Sequence, residues 1–217
     1  VIFVGDASEM ATVLAAAAEC PQLIAVVPWD DATYEAWKDK DARVTSPARF
    51  RQKRPTEAEL DARLASVDPD STAILIYTSG TTGHPKGILY SHRSTILHAY
   101  AAALPDSGNA SARDIALPVV PMFHVNAWGI PYVAALVGAK LVLPGPFTDA
   151  RRLHGLIEQE GVTYAAGIPT VWIGLLNHMQ QHKLGPASLK RILVGGAACP
   201  PELIRRFEEE YGVQVQH

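Results

Sequence analysis

The chain has 217 residues, of which 48% are apolar and 19% charged, so it can bury a substantial core and does not read as disordered. Nineteen basic against 22 acidic residues leave a formal charge of −3, which removes the electrostatic case for a nucleic-acid or anionic-membrane binder. With only Cys20 and Cys199 a disulfide framework is excluded, and a reducing cytoplasm is the expected location.

Short apolar, β-branched runs at 1–5, 23–27, 73–78, 115–120, 141–143, 162–166 and 192–194 are predicted as strands. They are continuous rather than alternating, which suits parallel strands covered on both faces. The chain opens on Val1-Ile2-Phe3-Val4-Gly5 without Met, and stops on the strand-like Val213-Gln214-Val215-Gln216-His217. Natural ends are usually polar and loose, so a piece of a longer protein is expected.

Residues 43–63 are the most charged stretch, including Arg49, Arg51, Lys53 and Arg54. Glu57, Glu59 and Asp61 follow at once, so a solvated linker leading into an amphipathic helix is expected rather than a basic patch. Thr56 and Glu59 form a capping box ahead of Leu60 and Leu64. Farther on, Thr148 or Asp149 caps a helix carrying Leu153, Leu156 and Ile157 that Gly161 ends. Trp172, Leu175, Leu176 and Met179 fall on one helical stripe. Pro201 opens a helix with Leu203, Ile204, Phe207 and Tyr211, closed by Gly212. Strand–helix alternation over this length means an α/β fold. The expected organisation is one α/β unit over 1–217: a strand and helix part at 1–42, a charged linker and helix at 43–70, and a motif-bearing part at 71–217.

Residues 115–139 carry no Asp, Glu, Lys or Arg and could span a bilayer by length alone. Pro118, Pro121 and Pro131, with Asn126 and His124, argue instead for burial in a soluble protein or for a pocket lining.

The most informative segment follows the strand at 73–78. Tyr77-Thr78-Ser79-Gly80-Thr81-Thr82-Gly83-His84-Pro85-Lys86-Gly87 holds four serine and threonine hydroxyls, three glycines and one lysine. Glycines let backbone N–H groups converge on an anion, hydroxyls add donors, and Lys86 adds charge, as a polyphosphate cradle requires. It is not a Walker A loop, because Lys86 follows Pro85, residues 87–90 read as a returning strand, and the helix begins only after Ser91. A hairpin-like loop is predicted.

The segment TSGTTGHPKG resembles the signature loop of the adenylate-forming enzymes: acyl-CoA synthetases, peptide-synthetase adenylation domains and firefly luciferase. PMFHVNAWG at 121–129, GVTYAAGIPTVW at 161–172 and LVGGAACPPELIRRF at 193–207 extend the resemblance in the same order. These segments are most similar to bacterial medium- and long-chain fatty acyl-CoA synthetases, and they run from Tyr77 to the end.

The resemblance implies layered, mostly parallel sheets with helices on both faces, as part of a large N-terminal domain. It implies an ATP-dependent fatty acid–CoA ligase: carboxylate adenylation with pyrophosphate release, then thioester formation with CoA. It makes Thr78, Ser79, Gly80, Thr81, Thr82, Gly83 and Lys86 the grip on the β- and γ-phosphates, with Thr78 also touching Mg²⁺. His124 would lie beside the acyl carboxylate and α-phosphate. Trp128 would gate the acyl tunnel, and Gly195, Gly196 and Ala197 would line the nucleotide pocket. Gly161, Ala135, Ala165, Ala166 and Gly167 either shape an apolar channel or pack tightly.

The family's Gly-Tyr-Gly-x-Thr-Glu motif and small C-terminal domain do not occur within this sequence, so the 217 residues alone are expected to be inactive. ATP, a fatty acid and CoA are the implied ligands, with no nucleic acid and no membrane span; a homodimer of the longer protein stays open. The rivals are an aryl-CoA ligase, a peptide-synthetase-type domain, and a noncatalytic nucleotide-binding or scaffolding fragment. His178 and His182 read as a solvated helix face, Cys199 as structural, and His92 and His98 have no supporting pattern.

Overall fold

The computed structural model describes residues 1–52, 54–78, 83–145 and 148–217, and divides into two compact units, Val1–Val67 and Asp68–His217.

In the first unit, β1 (Ile2–Val4) pairs in parallel with β2 (Val26–Pro28). Helix α1 (Ala7–Ala17) follows β1, and its N-cap Asp6 accepts from the N–H groups of Ser8 and Glu9. Val4, Met10, Val26 and Val44 form the small core, against which Trp37 of α2 (Asp31–Trp37) packs. Within the stretch expected as linker lies a short helix, α3 (Pro47–Gln52). Pro47 opens it and Ser46 Oγ accepts the Arg49 N–H, a start signal that the surrounding charge obscured in the sequence. The Thr56–Glu59 capping box is present at the head of α4 (Glu57–Ser66), whose Leu60 and Leu64 remain exposed.

The second unit holds the motifs. Its five-stranded sheet runs β6 (Lys140–Leu141), β5 (Ile115–Pro118), β7 (Tyr164–Gly167), β8 (Arg191–Val194) and β9 (Gln214–Gln216), every pairing parallel. Successive side chains serve opposite faces. Leu117, Ala165 and Ile192 join the larger core, which also takes Leu153 of α8 (Ala150–Glu160), Trp172 and Leu175 of α9 (Pro169–His182), and Leu203 of α10 (Pro201–Arg205). Ala116, Tyr164 and Ala166 face the other way, onto Ile130 of α7 (Ile130–Val137). Helices therefore cover both faces. The chain leaves β5 for β6 on one side and then crosses to β7 on the other, so the loops after β5 and β7 part at a topological switch point, where α/β sheets place ligands.

The helix signals act as expected. Asp149 caps α8 through the Arg152 N–H, and Gly161 ends it at φ 68°. Ala165 and Ala166 are fully buried, and a Cβ on Gly167 would meet the Trp172 ring at 3.0 Å.

One strand departs from expectation. β3 (Thr72–Thr78) is not buried between layers: it pairs antiparallel with β4 (Lys86–Ser91), the predicted return strand, and is exposed along much of its length. Ser91 then caps α5 (His92–Ala103) through the Ser94 N–H. Among the described residues, no helix is long and apolar enough to cross a membrane.

Candidate functional site

The site begins with the hairpin. Thr78 and Lys86 are cross-strand partners, so the two residues flanking the hydroxyl-rich loop stand opposite one another at its mouth. Ser79, Gly80, Thr81 and Thr82 lie outside the described residues. Gly83, with φ +83° and nothing within 4 Å of an added Cβ, adopts the left-handed backbone that glycine favours.

The pleat continues the argument. Ile76 pairs with Ile88 and Ile74 with Tyr90, so Ile74, Ile76 and Thr78 share one face with Tyr90, Ile88 and Lys86. At one end of that face, Ile74, Ile76 and Tyr90 wall a cavity of about 260 Å³. Ser94, Thr95 and His98 of α5, with Val125, Asn126, Gly129 and Tyr132, complete it. At the other end stand Thr78 and Lys86. The face thus joins an apolar recess to a cationic, hydroxyl-bearing mouth.

His124 follows β5 at the switch point, is exposed, and precedes α6 (Val125–Trp128). This element is a left-handed turn: Val125, Asn126, Ala127 and Trp128 have φ of 47°, 50°, 52° and 55°, and Gly129 continues at 75°. Left-handed backbone costs a non-glycine residue roughly 1–2 kcal/mol, and Val125 is β-branched, so the turn stores strain. Strain of this kind clusters where ligands are held. The turn shows two sides. Val125, Asn126 and Gly129 line the cavity, whereas the Trp128 indole lies on the glycine pair after β8. A Cβ on Gly195 would stand 2.9 Å from Trp128 Cη2, and one on Gly196 3.9 Å from Cζ2. Ala197 follows, exposed.

The structure therefore brings Trp128 together with Gly195 and Gly196, and Thr78 with Lys86. It also reveals one residue the sequence left without a pattern. His98 Nε2 lies 3.2 Å from the Trp128 carbonyl oxygen, across a separation of 30 residues that no local motif encodes.

Other groups fall outside the site. The His178 ring lies between those of His154 and His182, and among the described residues no three such side chains are arranged to hold a metal. Burial raises the Cys199 thiol, as suits an inert cysteine. Asp114 and Arg191 form a buried pair, 2.8 Å apart, beside the amino ends of β5 and β8, opposite the switch-point loops. Burial would raise the Asp114 carboxyl, but Arg191, the Ser111 N–H and the Thr163 hydroxyl outweigh it and hold it at about 2.

Comparison with known proteins decides the family: the AMP-binding enzyme family matches residues 1–217. The chain belongs to that family. It is 59% identical over 151 residues to the medium-chain-fatty-acid–CoA ligase of Ectopseudomonas oleovorans, covering 70% of this chain and 28% of that protein. It is 54% identical over 150 residues to the 3-methylmercaptopropionyl-CoA ligase of Ruegeria lacuscaerulensis, covering 69% and 28%. Among solved structures, O-succinylbenzoate coenzyme A synthetase from Bacillus subtilis in complex with AMP superposes with a TM-score of 0.63 at 25% identity, covering 88% of this chain and 38% of that one. The chain thus spans just over a quarter of the length of these two curated relatives.

Proposed function

We propose that this AMP-binding chain serves an ATP-dependent fatty acid–CoA ligase, which forms an acyl adenylate with release of pyrophosphate and then a thioester with CoA. The observation that carries the reading is the single hairpin face that sets Thr78 and Lys86 beyond the cavity walled by Ile74, Ile76 and Tyr90. An amphiphile with an apolar tail and an anionic head fits such a face. The 59% identity to a medium-chain-fatty-acid–CoA ligase supports the same substrate class.

Each residue then has a role in the chemistry. Lys86 supplies positive charge where a triphosphate and a carboxylate must come together, and catalysis of such transfer is mainly positioning and charge stabilisation. Thr78 offers a hydroxyl beside it. In this reading His124, exposed at the switch point, donates to the carboxylate or the α-phosphate. The Trp128 indole lies on Gly195 and Gly196, and in this reading it gates the acid while the glycines line the nucleotide pocket.

Magnesium fits this arrangement only as the ATP complex. Mg²⁺ keeps most of its ligands as water and phosphate oxygens, and among the described residues Thr78 offers one neutral hydroxyl opposite a lysine. The ion would supply neutralisation of the phosphate charge, with Thr78 as its protein contact.

The test is pyrophosphate release by the full-length protein with ATP and saturated acids of graded length, followed by mass detection of the acyl-CoA. Release with medium-chain acids supports the reading. Release only with aromatic acids or amino acids would replace it with an aryl-CoA ligase or a peptide-synthetase-type domain. No release with any acid would leave a nucleotide-binding scaffold.

A further inference from the structure

His98 projects from α5 toward the turn that carries Trp128. Its Nε2 lies 3.2 Å from the Trp128 carbonyl oxygen. A carbonyl only accepts, so the imidazole donates through Nε2–H. The next residue makes room for the ring: a Cβ on Gly129 would stand 2.5 Å from His98 Nε2. Helix α5 packs against α7, which begins directly after Gly129, so the donor is fixed on a rigid element.

The carbonyl that His98 grips closes the left-handed run of Val125, Asn126, Ala127 and Trp128. Four successive non-glycine residues do not hold that conformation unaided, and surrounding contacts must over-determine it. The same turn supplies cavity wall through Val125, Asn126 and Gly129, and seats the indole on Gly195. Any change in the turn moves the wall and the indole together.

We propose that His98, itself part of the cavity lining, is also a positioning residue for acid binding: its hydrogen bond to the Trp128 carbonyl holds the left-handed turn and thereby fixes both the indole and the rest of the cavity wall. The proposal rests on the reading that this cavity takes the acyl chain.

Steady-state kinetics of the full-length protein with octanoate test it. Loss of one neutral hydrogen bond in His98→Leu should raise KM for octanoate about 5-fold while KM for ATP stays unchanged. His98→Gln can donate from nearly the same point and should return KM to within about 2-fold of wild type. A wild-type KM in His98→Leu, or failure of His98→Gln to rescue, overturns the proposal. Should His98→Leu not fold, His98→Asn replaces it, since its amide is too short to reach, and equal KM values for Asn and Gln overturn the proposal. Ile76→Trp, which fills the cavity, separates the two levels. If it raises KM while His98→Leu does not, the proposal alone falls. If it leaves KM untouched, the acyl-cavity reading falls and takes the proposal with it.

Discussion

The indole of Trp128 rests on the backbone of Gly195 so closely that a Cβ there would lie 2.9 Å from Cη2 and 3.2 Å from Cζ3. Two segments far apart in sequence, the turn after β5 and the loop after β8, meet through this contact.

The backbone at Gly195 lies outside the left-handed region, so alanine meets no conformational penalty there and the ring alone must yield. Gly195→Ala should raise KM for the acid about tenfold, equivalent to about 1.4 kcal/mol, within the usual cost of overpacking. Melting temperature and KM measured on the same preparation check this. An unchanged KM would show that the indole moves freely off the glycine.

Thr78 and Lys86 are exposed at the mouth of the hairpin, so replacing either should not disturb folding. Lys86→Ala should lower the rate of adenylate formation by about 10²–10³, the loss typical of removing one preorganised charge-stabilising group. Thr78→Ala should lower it less, because a neutral donor is replaced. ATP–pyrophosphate exchange measures the step without CoA, and unchanged exchange in Lys86→Ala would remove this lysine from the site.

Much of this arrangement was legible in the sequence, and the exceptions have physical causes. Asp149, Gly161 and the stripe from Trp172 to Met179 are local or periodic signals, and each sits where the pattern put it. The density of hydroxyls and glycines between Thr78 and Lys86 announced a hairpin loop, although Ser79 to Thr82 fall outside the described residues. The continuous apolar run at 73–78 suggested a strand covered on both faces, but apolarity does not encode what will cover a strand, and β3, paired with its predicted return strand, is exposed along much of its length. The left-handed turn was not readable, because Val125 and Ala127 favour other backbone conformations and tertiary contacts impose this one. His98 was silent for the same reason: its partner is a backbone carbonyl from a distant segment.

The Asp114–Arg191 pair should govern acid stability. The Asp114 carboxyl is held at about 2, below its ordinary value near 3.9, so the folded state binds the proton less readily than the unfolded chain. The stabilisation is therefore complete above about pH 4 and is lost as pH falls toward about 2. Asp114→Asn strands Arg191, only 7% exposed, without its counter-charge and should cost about 3–5 kcal/mol at neutral pH. Urea denaturation across pH 2–7 should show the wild-type and variant curves converging at the acid end. Parallel curves would mean that the pair contributes nothing that titrates.

The strain in the turn makes the last prediction a trade between stability and binding. Val125 carries φ 47° on a β-branched residue and is 41% exposed, so little packing is lost with its side chain. Val125→Gly removes the steric conflict between Cβ and the backbone but loosens the unfolded chain, and the first effect is the larger at a left-handed position. The variant should gain about 0.5–1 kcal/mol, read as a rise in melting temperature. It should bind the acid less well, because glycine also permits conformations that lift the indole from Gly195 and shift the cavity wall. A lower melting temperature would show that the turn is held without strain. A higher one with unchanged KM would show that the strain does not serve acid binding.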